Sequence, residues 1–372
     1  MTERLSQLMH AEADTLEVPV PRAAAALDAG RRMRTRRRAT EAVAGLAVLA
    51  VVGGGATLWM GRGDDAARDP VTSSDHAPYA FGNGSRIVVG DEVASVPDTV
   101  HSLHYTSVGV LVRSNPHDGA SDGSGPESLT LVRWDGSTKD LGTVPEGVGP
   151  ATDPSQPYYA LAEADGDGFV AVVRDADTGD EVERLPLPDE PRSYWEVPPL
   201  GLSGDTLYVG YRKTTAAVDL ETGESHLVDG LPGGIPDVSG GRAVVASGDN
   251  TLVVDVATGD TVAEIPVAGD PMDGEGGVRL SPDGRFALVW TVDPETYETV
   301  DPLQVFDLST GDEQDFSGDP WAWGWSPDGD LFKVGDGTIT TCDAASGACK
   351  DTAVPGGVGT GNLRLGGLVY ES

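Results

Sequence analysis

Basic side chains and cysteines are both scarce in this sequence of 372 residues. Lysine and arginine together number 25, against 60 aspartates and glutamates, so the formal net charge at pH 7 is −35. An acidic surplus of this size repels nucleic acid and excludes nucleic acid as a partner of the acidic part of the chain. The two cysteines, Cys342 and Cys349, do not form the Cys-x-x-Cys pattern of redox-active pairs.

The few basic residues are concentrated near the N-terminus. Residues 1–62 contain nine arginines and six acids, whereas the rest of the chain contains 16 basic and 54 acidic side chains. A basic leader therefore precedes a strongly acidic body. We expect the acidity of the body to serve solubility, and a surface for cations or for a basic partner is the alternative. The central arginine cluster reads RRMRTRRR and comprises Arg31, Arg32, Arg34, Arg36, Arg37 and Arg38.

An uncharged segment follows the arginine cluster. The 19 residues from Ala42 to Met60 carry no charge, and at about 1.5 Å per residue they would span roughly 30 Å, the hydrocarbon thickness of a bilayer. Trp59 lies where an interfacial aromatic residue belongs, and the arginines flank the other end. We predict a transmembrane helix over residues 39–60 that anchors the chain in the lipid bilayer. The basic tail, residues 1–38, would be cytoplasmic, and the body would lie outside.

An apolar segment near the N-terminus is also typical of lipoproteins and of cleaved signal peptides. A lipoprotein is excluded, because no cysteine lies near the apolar segment. A cleaved signal peptide stays open, although 38 residues precede the apolar segment, which is long for a signal peptide.

The leader as a whole has a distinctive layout: a short tail, a break at Pro19 and Pro21, an arginine cluster and a single span. This layout resembles a group of actinobacterial single-pass membrane proteins with a variable outer domain. Some of them accompany extracytoplasmic-function sigma factors, so the resemblance implies an anti-sigma-like regulator as an alternative function, with a cytoplasmic sigma factor as partner. The tail departs from the zinc-binding anti-sigma pattern, since it has His10 and no cysteine.

The acidic body contains a repeated element, Asp-x-x-(Thr/Ser)-Gly, between two short hydrophobic segments. Asp accepts backbone hydrogen bonds at such a turn, and Gly supplies the positive φ that the hairpin needs. The repeats recur at a mean interval of about 42 residues, the period of four-stranded propeller blades. They end at Gly179, Gly223, Gly259, Gly311 and Gly347, with a looser copy at Gly136.

These repeats predict an all-β fold, a seven-bladed β-propeller over residues 85–372 after a linker over residues 61–84. Six or eight blades are the alternatives. Residues 85–96 would supply two strands of the last blade and residues 362–371 the other two, which closes the ring. The strings LSPDGRFALVW and WSPDGDLFKV resemble repeats of TolB-like and WD-type propellers. The other six blades fall at roughly 101–145, 147–187, 195–229, 235–267, 277–316 and 320–354.

Trp321, Trp323 and Trp325 alternate along one predicted inner strand, which would place all three on one face. They are candidates for an aromatic platform that binds a sugar or a peptide near the channel mouth. Packing between blades is the structural alternative. Cys342 and Cys349 flank one hairpin turn, and we predict a disulfide between them outside the cell.

No metal site, catalytic residue or cofactor is predicted. His101 and His104 are three residues apart in a predicted strand and would point to opposite faces. The segment Glu163–Gly168 resembles the start of a calcium loop, but Arg174 occupies the twelfth position. An acidic hairpin turn is therefore favoured, and a weak surface calcium site stays open.

The sequence contains no nucleophile elbow, phosphate loop, zinc motif or triad spacing. We therefore expect a non-enzymatic binding or sensing module for an extracytoplasmic protein, peptide or glycan. An extracytoplasmic propeller enzyme of the lactonase or lyase type is a further alternative, because such sites converge from several blades and leave little local signature.

Overall fold

The computed structural model describes most of the acidic body, and all its strands belong to one compact unit. No helix of this part of the chain is long and apolar enough to cross a membrane. The predicted tail, arginine cluster, Trp59 and transmembrane helix all lie outside the described residues. The described residues are 79–116, 125–166, 168–188, 197–231, 238–247, 250–267, 276–293, 295–296, 298–359 and 361–368.

The strands of these residues form seven antiparallel sheets of four strands each. Blade 1 comprises β4 (Thr99–Thr106), β5 (Gly109–Asn115), β6 (Glu127–Arg133) and β7 (Thr138–Val144). Blade 2 comprises β8 (Ala151–Thr152), β9 (Tyr158–Asp165), β10 (Gly168–Asp175) and β11 (Glu181–Pro186). Blade 3 comprises β12 (Leu200–Ser203), β13 (Thr206–Gly210), β14 (Thr215–Asp219) and β15 (Ser225–Leu227).

Blade 4 comprises β16 (Val238–Ser239), β17 (Arg242–Ser247), β18 (Asn250–Asp255) and β19 (Thr261–Ile265). Blade 5 comprises β20 (Gly276–Leu280), β21 (Phe286–Val292), β22 (Thr299–Asp307) and β23 (Glu313–Phe316). Blade 6 comprises β24 (Trp323–Trp325), β25 (Leu331–Gly335), β26 (Thr338–Cys342) and β27 (Cys349–Ala353). The closing blade comprises β28 (Leu363–Leu365), β1 (Ala80–Asn83), β2 (Arg86–Val89) and β3 (Glu92–Ser95). Short 3₁₀ helices lie at Pro320–Ala322 and Pro355–Gly357.

Seven apolar clusters hold these blades together, one at each boundary between neighbouring blades. At the boundary of blades 5 and 6, for example, Leu288 and Leu303 pack with Trp325, which is fully buried. Among the described strands, each blade therefore packs against both of its neighbours in the ring. The predicted seven-bladed all-β propeller is confirmed.

The closing blade divides its strands differently from the prediction. The order β28-β1-β2-β3 takes one strand from the C-terminal side and three from the N-terminal side, instead of two and two. Ala80–Asn83 lies inside the segment predicted as a linker, yet it forms the second strand, because Gly84 at φ 56° allows a tight turn into β2. On the other side, Gly367 at φ 73° follows the end of β28.

The repeated turns have the predicted chemistry. In the turns that begin at Asp175 and Asp343, the carboxylate Oδ1 accepts the backbone N–H of the residue three positions on, at 2.7 Å in both cases. The glycines that end the repeats, including Gly136, all have φ between 69° and 78°. Because these turns join third to fourth strands, they all lie at one end of the propeller, which we call the turn end.

Candidate functional site

The opposite end of the propeller carries the candidate sites. Neighbouring strands in each blade are antiparallel, so the connections from one blade to the next and the loops between second and third strands share one end. We call this end the connecting end. It presents an aromatic group at blades 5 and 6 and a buried polar group in blade 1.

The three predicted tryptophans do not share one face of one strand. Trp323 and Trp325 lie on β24 and are buried, whereas Trp321 belongs to the preceding 3₁₀ helix and is 43% exposed. Asp319 Oδ1 accepts the backbone N–H of Trp321 at 2.9 Å, and Pro320 occupies the first helical position. Both features favour a helical turn over an extended strand, so the predicted alternation is wrong for Trp321.

Trp321 packs on a second tryptophan, Trp290 of β21. The ring centroids are 5.7 Å apart and the planes meet at 64°, an edge-to-face arrangement. Trp290 is only 4% exposed. It lies over Gly277, where a Cβ would come within 2.4 Å of the ring. We call Trp290 and Trp321 the tryptophan platform; its lower ring is fixed by packing and its upper ring reaches solvent.

A buried arginine fixes the backbone that carries Trp321. Arg279 of β20 is 1% exposed, and its Nη2 donates to the carbonyl oxygens of Pro320 at 3.2 Å and Trp323 at 2.6 Å. These two carbonyls lie on either side of Trp321 in the chain. Sequence reasoning missed Arg279, although a single arginine within the apolar strand GGVRL was the available signal.

Further side chains around the platform are exposed. Val300 is 44% exposed and lies opposite Thr291, the neighbour of Trp290. Asp301, the next residue, accepts the backbone N–H of Gly318 at 3.1 Å and so connects β22 with the segment that leads to Trp321. The connecting end of blade 5 therefore combines exposed apolar surface with acidic groups.

The buried polar group of blade 1 is centred on Glu127. Its Oε2 pairs with the Nη2 of Arg113, and both side chains have an exposure of 0%. Its Oε1 accepts hydrogen bonds from His101 Nδ1 at 2.6 Å and from Asn115 Nδ2 at 2.9 Å. Three strands, β4, β5 and β6, thus converge on one carboxylate.

A β-bulge places His101 in this group. Val100 pairs with Ser114 and Ser102 pairs with Arg113, so His101 is an extra residue in β4. The bulge interrupts the side-chain alternation and puts His101 on the same face as His104, since Val100 and Leu103 both pack in the cluster on the other face. The expectation that the two histidines point to opposite faces is therefore wrong. Within the described ranges, no group of three or more His, Cys, Asp or Glu residues could hold a metal ion.

The electrostatics of this group favour one ion pair and a neutral histidine. Burial alone would raise the pKa of Glu127, but the hydrogen bonds from His101 and Asn115 and the charge of Arg113 lower this pKa to about 2. Burial, together with the charge of Arg113, lowers the pKa of His104 to about 3. At neutral pH the Glu127 carboxylate is therefore ionised, and we assign the group a structural role in blade 1.

In the acidic segment, Glu163 and Asp165 lie at the end of β9 and Gly168 begins β10, with Asp165 opposite Gly168. The carboxylate of Glu163 makes ion pairs at 3.2 Å with Arg174 and at 3.2 Å with Arg184. Arg174 is the residue at the twelfth position of the calcium-loop pattern, and here it pairs with the first. A weak calcium site stays a prediction.

Cys342 and Cys349 lie directly opposite each other on β26 and β27. They form a disulfide with Cα atoms 4.1 Å apart. Cys342 is buried against the cluster between blades 5 and 6, whereas Cys349 is exposed. The bond therefore ties the outermost strand of blade 6 to its neighbour.

Replacing both cysteines, Cys342→Ser with Cys349→Ser, should lower the free energy of unfolding by about 2 kcal/mol, because the bond closes only a short loop. The turn between them is already held by Asp343 and Ser346. Urea unfolding of the oxidised wild type and the double variant measures the difference. A loss of the folded state would contradict a local role.

No protein-family model matches the sequence, and no curated protein matches it. Among solved structures, the chain is similar to hydrazine synthase of Kuenenia stuttgartiensis, with a TM-score of 0.40 and 18% identity over 66% of this chain and 76% of that one. TolB from Acinetobacter baumannii gives a TM-score of 0.38 and 12% identity over 77% of this chain and 64% of that one. Hsv2 of Kluyveromyces lactis gives a TM-score of 0.40 and 15% identity over 66% of this chain and 73% of that one. The propeller is established by its own strand pairing and blade boundaries.

Proposed function

We propose that the chain is a membrane-anchored, non-enzymatic binding module whose propeller lies outside the cytoplasm. The tryptophan platform is its contact surface for an extracytoplasmic partner. The observation that carries this proposal is Trp321, a large aromatic side chain that is 43% exposed, whereas Trp290, Trp323 and Trp325 are buried. Exposed aromatic residues held in place are typical of recognition surfaces, because they offer contact area at little cost in conformational entropy.

The preorganisation of the platform supports binding. Trp290 packs under Trp321, Asp319 caps its helical turn and Arg279 fixes the backbone on both sides. Because the platform is already ordered in the folded protein, a ligand would bind with little further loss of conformational entropy.

Anchoring and location rest on the leader and on the cysteines. Six arginines precede an uncharged segment of membrane-spanning length. The disulfide between Cys342 and Cys349 fits an oxidising compartment, since cytosolic thiols are kept reduced.

Single cysteine reporters test the topology in intact cells. With Ser6→Cys and Ser73→Cys as separate variants, a membrane-impermeant thiol reagent should label only position 73. The wild type is the control, because its two cysteines are bonded to each other. Labelling at both positions, or release of the propeller into the medium, would reject the anchored topology.

Photo-crosslinking tests the contact surface itself. A photoreactive residue at exposed Ala322 in the full chain should form an adduct in cells, and the same residue at exposed Thr310, at the turn end, should not. Combining the Ala322 probe with Trp321→Ala should remove the adduct. Equal adducts at both positions, or an adduct that persists without Trp321, would reject the platform as the binding surface.

A further inference from the structure

We infer that the tryptophan platform binds a cationic peptide segment, an extended arginine- or lysine-bearing stretch of the partner, rather than a neutral sugar. This inference rests on the proposed binding function and specifies the chemistry of its ligand. It is carried by the charges around the platform and by the electrostatic character of the tryptophan ring.

The described charged side chains in the β21–β22 turn, at the start of β22 and at the cap of the 3₁₀ helix are all acidic. Their carboxylates are exposed or half-exposed. In the turn, Asp293 Oδ1 accepts the backbone N–H groups of Glu295 at 2.8 Å and Thr296 at 3.1 Å. These hydrogen bonds lower the pKa of Asp293 and keep it ionised. The acids are Asp293, Glu295, Glu298, Asp301 and Asp319.

Two described cations lie on strands that pair with β21 or β24, and both already contact other groups of the protein. Arg279 is buried and donates to the backbone beneath Trp321. Lys333 lies with its Nζ 4.6 Å from the centroid of the Trp323 ring. Both side chains keep their positive charge in these contacts, but they are two against five carboxylates, a formal charge of −3 that attracts cations and is reinforced by the acidic body.

The exposed ring supplies the second attraction. The face of an indole carries negative charge density, and a guanidinium or ammonium group over it gains from about 0.5 to 2 kcal/mol, with Trp the best of the aromatic residues. The propeller already uses this contact, since Lys333 lies over Trp323 and Arg285 lies 4.6 Å over Phe286. A neutral sugar would gain from the ring and from hydrogen bonds between its hydroxyls and the carboxylates, but only a cation also gains from the negative charge of the five carboxylates.

Val300 adds an apolar contact on the same end of blade 5, 44% exposed. An extended peptide alternates its side chains, so a cationic residue on Trp321 could be accompanied by an aliphatic contact with Val300. Because the described acids at this end of blade 5 outnumber the cations, a basic extended segment fits this surface in charge.

Binding to the full-length protein in nanodiscs of phosphatidylcholine tests the inference. The probe is a fluorescent peptide in which arginine alternates with serine, and its matched control contains neutral citrulline in place of arginine. Fluorescence anisotropy should show binding of the arginine peptide. Trp321→Ala should weaken it about tenfold, within the range of a cation–π contact, and Trp321→Phe should weaken it less.

A pair of charge variants separates local from overall attraction. Glu295→Gln with Glu298→Gln removes two exposed acids from the turn between β21 and β22, at the same end of blade 5 as the platform, and we expect about threefold weaker binding at low salt. Asp260→Asn with Asp312→Asn removes two exposed acids at the turn end and should change affinity less than twofold. Thermal unfolding checks that each variant is folded.

The outcomes distinguish the inference from the proposed function. Equal binding of the arginine peptide to wild type and Trp321→Ala, or equal losses from the two charge pairs, would overturn the cationic ligand. Binding of cellohexaose that depends on Trp321, without binding of the arginine peptide, would also overturn it but would retain the platform as a binding surface. If, in addition, the crosslink at Ala322 does not depend on Trp321, the proposed function of the tryptophan platform as a binding surface is rejected.

Discussion

Glu127→Gln should lower the free energy of unfolding by about 3 to 5 kcal/mol, because it leaves the buried Arg113 guanidinium without its counter-charge. Both side chains are fully buried, so water cannot replace the lost partner. Guanidinium unfolding of wild type and variant measures the loss. The matched control is Glu181→Gln, which removes an exposed ion pair with Arg184 and should change stability little.

A double variant decides whether charge is the cause. In Arg113→Met with Glu127→Gln, the amide oxygen at 127 can still accept from His101 and Asn115, and both charges of the buried ion pair are removed. We expect the double variant to be more stable than Glu127→Gln alone. If the double variant loses the sum of the two single losses, the destabilisation comes from packing, and the assignment of an ionic core to blade 1 is wrong.

The same carboxylate gives the wild type a dependence on pH that the variant lacks. The pKa of Glu127 in the folded protein is about 2, below the ordinary value of 4.5. Its contribution to stability is therefore complete above pH 4.5 and is lost as the pH falls towards 2, by linkage a total of about 3 kcal/mol. The stability difference between wild type and Glu127→Gln should shrink over this range; a constant difference would contradict the depressed pKa.

Much of the fold could be predicted because its blades repeat local turn chemistry. Each turn depends on residues within a few positions of each other: an aspartate accepts backbone N–H groups, and a glycine adopts a positive φ. Each turn ends a strand, so the period of the turns gives the number of blades. The closing blade was less predictable, because the pairing of Phe81 with Leu365 depends on residues at opposite ends of the described chain.

The site residues were harder to predict, for one local and one long-range reason. Whether Trp321 continues β24 or lies in a helical turn depends on Asp319 and Pro320, a local signal that the alternation of tryptophans concealed. The bulge at His101 has no local signature, since it follows from the buried carboxylate of Glu127, which lies 26 residues away. In the sequence, the hint of the contact between His101 and Glu127 was the presence of charged residues, Arg113 and Glu127, within apolar strands.

Deleting residues 362–372 should abolish the folded monomer, because the deletion opens the ring. It removes β28 and with it Leu365, whose buried side chain contributes about 2 kcal/mol. It also removes the hydrogen bonds from Gly366 N–H to Ala80 and from Trp325 N–H to Gly366. The total, about 5 kcal/mol with the lost strand pairing, is comparable to the whole stability of a typical domain.

The exposed edge of β1 adds a second consequence. Its backbone groups would be left without their partners in β28 and could pair with another chain, so we expect oligomers or precipitate rather than a soluble open ring. Size-exclusion chromatography and thermal unfolding measure both effects, with deletion of residues 369–372 as the control that retains β28. A soluble, cooperatively unfolding monomer after the longer deletion would show that the ring is stable with a three-stranded closing blade, and would contradict the role of β28 in closing it.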